Sequence, residues 1–182
     1  MKEVIVSFFI LFMAASNIFS QAGSTSQSSG NDEPAVLKEG SKAPDFKLHD
    51  AYGKEYTLSQ FKGKSPVVIY FYPQANTSGC TKQACGIRDD WSKFEKNNIM
   101  VFGISTDDKE AIKKFIDDYH LNFPLLSDES KEVSKKYGVL KDDGRDKRFT
   151  FIVDKNGNIA KVMEVKDIAS HSQEVFNTAS KL

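Results

Sequence analysis

The amino-acid sequence predicts an α/β fold in which a central mixed sheet is flanked by helices. Two continuous apolar runs, 67–72 and 99–105, have the pattern of strands that are buried on both faces. Amphipathic segments with helical spacing alternate with such strands, which is typical of three-layer domains. Near the end of the chain, Asn156-Gly157 separates two strand-like segments and predicts an antiparallel hairpin, which makes the sheet mixed.

In chain order the predicted elements are a β-hairpin followed by β-α-β-α-β-α-β-β-α. The N-terminal β-hairpin turns at Tyr52-Gly53-Lys54, where the residue types favour a turn. Asp107 or Asp108 can cap the second helix, and Gly138 can end the third. The strands are expected at 43–49, 56–58, 67–72, 99–105, 125–126, 149–153 and 159–165. The helices are expected at 81–96, from the Asp cap to about 119, at 130–137 and at 171–181.

The first 20 residues differ in character from the rest of the chain. An apolar run from Val4 to Ala15 is too short to span a membrane comfortably and fits the core of a signal peptide. We interpret residues 1–20 as a signal peptide or an N-terminal anchor, with cleavage open after Ser16, Ser20 or Ala22. In either case we expect an exported domain, periplasmic or secreted, with no membrane contact beyond such an anchor.

Residues 21–37 are rich in serine and glycine and predict a flexible linker, because such a segment cannot bury apolar surface. The folded domain is then 38–182, which is the length of one domain. Hydrophobic residues make up 40% of the chain, which is enough for a packed core. A domain of this size needs no disulfide framework. The two cysteines are therefore expected to be chemical rather than structural.

Charge and histidine placement argue against binding modules. The chain has 25 basic and 25 acidic residues, so it lacks the basic excess of nucleic-acid-binding proteins. One alternative is that the chain is a non-enzymatic module that binds a metal or a partner protein. The three histidines, His49, His120 and His171, are scattered and lack zinc-type spacing, so we expect them to be solvated surface residues.

Both cysteines lie in one segment, 70–89, where a strand passes into a helix. A thiol in the first turn of a helix is favoured as a thiolate, because unpaired backbone N–H groups and the helix dipole attract negative charge there. Cys80 begins the apolar stripe of this helix, whereas Cys85 lies about 140° away on the polar side. The stripe continues through Ala84, Ile87, Trp91 and Phe94. A purely structural role as a small hydrophobic residue in the core therefore suits Cys80 but not Cys85. Because this role does not account for both cysteines, the pair predicts a reactive site.

A Cys80–Cys85 disulfide cannot form while the helix is intact. Five residues of helix place the two Cα atoms roughly 8.5 Å apart, whereas disulfides need Cα separations below about 7 Å. Gly86 weakens the helix beside Cys85 by about 1 kcal/mol relative to alanine. The spacing therefore suits a redox pair whose oxidation unwinds the start of the helix.

The segment YFYPQANTSGCTKQACGIRD resembles the active-site segment of the Q-type peroxiredoxins, also called bacterioferritin-comigratory proteins, of the AhpC/TSA superfamily. Shorter matching pieces occur in family order at Ala43–Phe46, Gly103–Asp107, Phe123–Asp128, Tyr137–Val139 and Arg148–Asp154. The resemblance implies a thioredoxin-like fold and reduction of hydroperoxides, with no metal and no bound organic cofactor. Members of this subgroup are often monomeric, so we expect a monomer.

The resemblance also implies roles for five residues. The family pattern of Pro, three residues, Thr or Ser, two residues and Cys falls on Pro73, Thr77 and Cys80. Cys80 then corresponds to the peroxidatic cysteine and Cys85 to the resolving cysteine. The arginine of the family pocket falls on Arg148. Pro73 is expected to shape the loop and shield the sulfur, and the Thr77 hydroxyl to bridge the peroxide and the thiolate.

The implied chemistry forms a sulfenic acid at Cys80 and then an intramolecular Cys80–Cys85 disulfide, which thioredoxin or a similar dithiol protein reduces. The implied biological role is antioxidant defence and redox homeostasis. Two departures from the family pattern are Ser78, where proline is common, and the short charged stretch 140–147. The first alternative function is an exported thioredoxin-like thiol–disulfide oxidoreductase, although such enzymes use Cys-x-x-Cys and this chain has Cys-x4-Cys.

Overall fold

The computed structural model describes residues 35–182. Its strands are β1 (Lys47–Asp50), β2 (Glu55–Thr57), β3 (Val67–Phe71), β4 (Met100–Ser105), β5 (Leu125–Ser127), β6 (Phe149–Val153) and β7 (Ile159–Glu164). Its helices are α1 (Ser78–Lys96), α2 (Lys109–Tyr119), α3 (Glu132–Tyr137) and α4 (His171–Ala179), and one 3-10 turn covers Ser59–Phe61. The predicted signal or anchor segment 1–20 and most of the predicted linker 21–37 lie outside the described residues.

The strands form one mixed sheet in the order β2-β1-β5-β4-β3-β6-β7. The three central strands β3, β4 and β5 are parallel, with Val67 opposite Met100 and Gly103 opposite Leu125. The outer pairs are antiparallel, both β1 with β2 and β5, and β6 with β3 and β7. The sequence prediction of a thioredoxin-like α/β fold with a mixed sheet is therefore confirmed.

Helices cover both faces of the sheet. Because strand side chains alternate, Val68 and Tyr70 of β3 face the core under α1, α2 and α4. Ile69 and Phe71 face the opposite core, which α3 and the 3-10 turn cover. All five residues of β3 are buried, as the continuous apolar run predicts. The end of β3 is therefore a rigid base for the segment that carries both cysteines.

The predicted boundaries agree with the structure to within two residues except at two places. The first strand begins at Lys47 rather than 43, because the segment before it is tied elsewhere: Asp45 accepts backbone N–H bonds from Phe46 and Ser59 at 2.9 and 3.0 Å. Helix α1 begins at Ser78, three residues before the predicted start. This earlier start places Cys80 inside the first turn. Among the helices of residues 35–182, none combines the length and the apolar character needed to cross a membrane.

Candidate active site

Cys80 lies at the mouth of α1, directly after the loop that leaves β3. It is the third residue of the helix, and its side chain is 1% exposed. It belongs to the same buried cluster as Ala84 and Ile87, as the helical spacing predicted. The sulfur therefore lies over the core and beside the first backbone N–H groups of α1, where a negative charge is favoured.

Arg148 contacts this sulfur directly. Its Nη2 donates to Cys80 Sγ at 3.2 Å, and its Nη1 donates to Gln83 Oε1 at 2.5 Å. The backbone carbonyl of Arg148 accepts from Val165 N at 3.0 Å, so the residue before β6 is fixed to the end of β7. Two of the five sequence-predicted site residues are thus in contact although 68 positions separate them.

Gly79 makes room for this contact. A Cβ atom at this position would lie 3.3 Å from Arg148 Nη2 and 3.3 Å from Ile168 Cδ1. Both distances are tighter than ordinary packing, so a larger residue at 79 would push the guanidinium aside. The glycine before Cys80 therefore permits the close approach of Arg148.

The loop between β3 and α1 holds Pro73 and Thr77. Pro73 is half-buried directly after Tyr72, and Thr77 is the exposed N-cap residue of α1. The Thr77 hydroxyl donates to the carbonyl of Gln74 at 3.0 Å and makes no capping bond to the helix. Ala75 N donates to Asp107 Oδ2 at 2.7 Å, which ties the loop to the end of β4. The structure therefore brings Thr77 to the helix mouth, with its hydroxyl engaged by the loop.

Cys85 lies on α1 with an environment unlike that of Cys80. It is half-buried, and both cysteines are free thiols within a continuous helix. Beside it, Gly86 faces α4, where an added Cβ would lie 3.7 Å from Ser172 Cβ. Ser172 also donates to Asp90 Oδ2 at 2.8 Å, so this side of α1 rests on α4.

Three residues behind Arg148 belong to the site and were not found from the sequence. Gln83 Nε2 lies 3.3 Å from His171 Nδ1, and His171 Nε2 lies 2.8 Å from Thr150 Oγ1. The expectation of a solvated surface histidine is wrong for His171, which is 1% exposed, because α4 packs its first residue against α1 and β6. Burial and the charge of Arg148 lower the pKa of His171 to about 4.

Sequence signals for these residues exist in part. Gln83 lies three positions after Cys80 and interrupts an apolar stripe with a polar residue. Thr150 lies two positions after Arg148 and so shares its face of β6. Nothing in the local pattern distinguishes His171 from a histidine at an exposed helix start.

The charged stretch 140–147 contains a buried carboxylate. Asp146 is fully buried, and within residues 35–182 neither of its carboxylate oxygens has a hydrogen-bond partner. Burial, together with the nearby charges of Asp128 and Asp107, raises the pKa of Asp146 to about 8. The Ser134 hydroxyl opposes this rise only in part, because it donates to Asp128 Oδ2 at 2.8 Å. Among the described residues no cluster of three or more His, Cys, Asp or Glu side chains is suited to hold a metal ion.

Comparison with known proteins assigns the class. Residues 40–162 match the model of the AhpC/TSA family, which is more than half of the chain, so the chain belongs to the AhpC/TSA family. The chain is 48% identical over 128 residues to a protein from Sedum lineare that is described as chloroplastic peroxiredoxin Q. The alignment covers 68% of this chain and 67% of that protein. Within the family, the chain is a peroxiredoxin of the Q/bcp type and hence an enzyme of the thiol-dependent peroxidase class.

Two further relatives support the subfamily. The chain is 40% identical over 146 residues to a putative peroxiredoxin bcp from Coxiella burnetii, with 76% of this chain and 96% of that protein covered. The solved structure of peroxidoxin BcpB from Mycobacterium tuberculosis matches with a TM-score of 0.75 and 33% identity, over 80% of this chain and 98% of that one. The chain spans only 56% to 67% of the length of the plant relatives.

The expectation of export is wrong. The plant relatives are described as chloroplastic, which is a location inside the cell, and the Coxiella relative carries no description of export. The apolar run near the N-terminus was the sole basis of the expectation, and such a run can occur in targeting segments of more than one kind.

Proposed function

We propose that the chain reduces hydrogen peroxide and organic hydroperoxides at Cys80, with Cys85 as the resolving thiol. The observation that carries the proposal is the 3.2 Å contact between Arg148 Nη2 and Cys80 Sγ at the mouth of α1. A cationic donor and a helix N-terminus that converge on one buried sulfur favour its thiolate, which is the nucleophilic form.

In the first step the Cys80 thiolate attacks one oxygen of the hydroperoxide. An S–O bond forms, the O–O bond breaks, and the departing oxygen takes a proton and leaves as water or an alcohol. The sulfur is oxidised to a sulfenic acid and the peroxide is reduced. Arg148 can hold the charge that develops on the oxygens. The Thr77 hydroxyl reaches the peroxide once it exchanges its bond to Gln74, and Pro73, which lacks an N–H, closes one side of the loop.

In the second step the Cys85 thiol condenses with the Cys80 sulfenic acid. An S–S bond forms, the S–O bond breaks and one water leaves. The pair of cysteines is still oxidised by two electrons after this step. The continuous helix between the two cysteines must unwind for this step, because intact helical geometry keeps the two Cα atoms roughly 8.5 Å apart. Both cysteines lie on α1, so a single chain is sufficient for the cycle, and the monomeric state stays a prediction.

In the third step a dithiol protein, thioredoxin or one like it, reduces the disulfide. The first thiolate of the donor attacks one sulfur of the disulfide to give a mixed disulfide. The second thiol of the donor then attacks the mixed disulfide, which frees the reduced chain and leaves a disulfide in the donor. The half-buried position of Cys85 offers the more accessible sulfur for this attack. The sequence of reactions corresponds to an antioxidant role.

Turnover measurements on matched cysteine variants test the proposal. Consumption of hydrogen peroxide and of cumene hydroperoxide is followed with thioredoxin as donor, for the unchanged chain, Cys80→Ser and Cys85→Ser. We expect Cys80→Ser to abolish turnover, and retention of more than about a tenth of the rate would refute the peroxidase role of Cys80. Cys85→Ser should still consume one peroxide per chain to give the sulfenic acid, and a second peroxide where the sulfenic acid is oxidised on to the sulfinic acid. Mass spectrometry detects both products.

Reduction of insulin disulfides by the same three chains, with dithiothreitol as the reductant and thioredoxin left out, addresses the thiol–disulfide oxidoreductase alternative. Insulin reduction without peroxide turnover would favour that alternative. Normal cycling of Cys85→Ser on a protein dithiol, with Cys80 unmodified, would show instead that Cys85 is dispensable.

A further inference from the structure

A line of buried polar side chains runs from the reactive sulfur to the first residue of α4. Arg148 connects Cys80 to Gln83, whose amide nitrogen lies 3.3 Å from His171 Nδ1. His171 Nε2 in turn lies 2.8 Å from Thr150 Oγ1. Gln83, Thr150 and His171 are each at most 1% exposed, so solvent does not compete for the bonds among these three, whereas Arg148 is half-buried. We call Gln83, Arg148, Thr150 and His171 the His171 network.

The donors and acceptors of the network assign one protonation state to the imidazole. A guanidinium only donates, so the amide oxygen of Gln83 faces Arg148 and the amide NH2 faces His171. That NH2 only donates, so the ring nitrogen that faces it carries a lone pair. Gln83 Nε2 lies 3.3 Å from Nδ1 and 3.4 Å from Nε2, so the amide distance alone does not choose between the two ring nitrogens. Nε2 has the shorter contact to Thr150 Oγ1, at 2.8 Å, so we assign Nε2–H as the donor to Thr150 and Nδ1 as the acceptor from the amide. The assignment follows from the heavy-atom network.

We propose that His171 is a positioning residue for the reaction at Cys80: its neutral ring holds the Gln83 amide in one orientation and thereby aims Arg148 at the sulfur. The inference rests on the proposed function, because it gives His171 a part in that reaction without contact with the peroxide. When the ring acceptor is lost, the buried NH2 of Gln83 is left without an acceptor, and the side chain can move away from the guanidinium to find another one. Arg148 then loses one of its two side-chain anchors.

The groups that face the ring keep it neutral. Arg148 contributes a positive charge from the start of β6, and burial with this charge lowers the pKa of His171 to about 4. Tyr70 on β3 packs its ring at 6.2 Å between centroids, and burial raises its pKa, so it is uncharged. On α1, Asp90 binds the residue after His171 rather than the ring, and Cys80 lies beyond the guanidinium.

Two measurements test the proposal, in a Cys85→Ser background so that Cys80 alone reports. The first is the rate of Cys80 alkylation by iodoacetamide as a function of pH. The second is the rate of oxidation by hydrogen peroxide, followed by the fluorescence of Trp91, the single tryptophan, on α1. We expect His171→Leu to move the alkylation midpoint upward by about one pH unit, because a nearby opposite charge is displaced. Oxidation should slow by about tenfold.

A conservative variant and a matched control separate positioning from a merely structural role. His171→Asn keeps an acceptor near the position of Nδ1 and should recover most of both effects. His120→Asn alters an exposed histidine in a left-handed C-cap, where asparagine fits, and should leave both readouts unchanged. Thr150→Val frees Nε2 and should give a smaller change of the same direction.

A folded His171→Leu chain with the unchanged alkylation profile and oxidation rate would overturn the proposal, and so would a loss of stability without a change in either readout. If His171→Leu does not fold, an unchanged profile in Thr150→Val has the same meaning. If the unchanged chain does not react with peroxide, the proposed function fails, while the alkylation profile still decides the role of His171.

Discussion

Two groups of largely buried polar side chains differ in their hydrogen bonding. In the His171 network, the polar side chains are linked to one another and to Cys80. The second group, which we call the Asp146 cluster, consists of Asp107, Asp128 and Asp146. Asp107 and Asp128 accept bonds from neighbouring hydroxyl and backbone groups. Both oxygens of Asp146 are without a partner in the described part of the chain.

The difference shows how burial acts on a base and on an acid. Burial disfavours the charged form in each case, so it lowers the pKa of His171 and raises that of Asp146. The two groups therefore oppose each other in the pH dependence of stability. The His171 network weakens the fold as the pH falls, and Asp146 weakens it as the pH rises.

The largest expected effect is the change in the free energy of unfolding when Asp146 is replaced. The ordinary pKa of an aspartate is 3.8 and that of buried Asp146 is about 8, so the unfolded chain ionises first as the pH rises. Stability is then lost between about pH 4 and pH 8. Asp146→Asn removes this loss, and we expect it to raise the free energy of unfolding by as much as about 4 kcal/mol at pH 7. Urea denaturation at pH 4 and pH 7 measures the difference, which should nearly vanish at pH 4.

Asp143→Asn is the matched control for this prediction. Asp143 is exposed in the same loop, and the Arg145 guanidinium beside it lowers its pKa. Its replacement should slightly destabilise the chain at neutral pH, opposite in sign to Asp146→Asn. Equal effects of Asp146→Asn at pH 4 and pH 7 would mean that Asp146 is ionised in the folded chain.

The next effect concerns the acid stability of the His171 network. An ordinary histidine has a pKa of 6.5 and His171 one of about 4, so between these values the unfolded chain binds the extra proton. The contribution of neutral His171 is complete above about pH 6.5 and is lost as the pH falls toward 4, by about 3 kcal/mol in total. His171→Leu should flatten this part of the stability curve in urea titrations. His120→Asn should leave it as steep as in the unchanged chain.

A smaller effect in energy, although a large one in rate, is expected for Arg148→Met. The variant removes the donor to Cys80 and keeps a side chain of similar length. Because a preorganised donor at a developing charge contributes a factor of 100 or more, we expect oxidation of Cys80 to slow by about 100-fold. Stopped-flow fluorescence measures the rate, with Arg145→Met as the control on an exposed arginine. Equal oxidation rates in the two variants would show that Arg148 does not contribute to the oxidation of Cys80.

The smallest effect is expected at Gly86, on the side of α1 that rests on α4 with His171. Gly86→Ala should stabilise the helix by about 1 kcal/mol, because alanine is the better helix former. The added Cβ would meet Ser172 Cβ at 3.7 Å, an ordinary contact. Formation of the Cys80–Cys85 disulfide should then slow by roughly fivefold while the first oxidation step is unchanged. A faster disulfide step would argue against unwinding at this point.

Much of the fold could be predicted from local patterns. The order of strands and helices and the Gly138 stop agree with the structure, because each depends on a few neighbouring residues. Of the two predicted candidates for the cap of α2, Asp107 and Asp108, the structure uses Asp108. The place of Cys80 on the apolar stripe of α1 agrees for the same reason. Arg148 was found through a family resemblance, since no local pattern joins it to a residue 68 positions away.

The remaining parts of the site depend on long-range packing. His171 has the surroundings in sequence of an exposed helix start, and Asp146 lies among charged residues, yet both are buried. Gln83 and His171 meet across 88 positions only because α4 packs against α1. The residues of a buried polar network are set by such packing, and the burial then shifts their pKa values.

By itself, the sequence determined the α/β class, the element order and the placement of the two cysteines on different faces of one helix. These follow from periods of about two and 3.6 residues along the chain. The tertiary structure alone decided which polar groups meet at Cys80 and which carboxylate stays without a partner. The physical reason is that the helical and strand periods determine which face of an element a side chain lies on. A hydrogen bond between distant segments also requires that packing bring a donor atom and an acceptor atom within about 3 Å of each other.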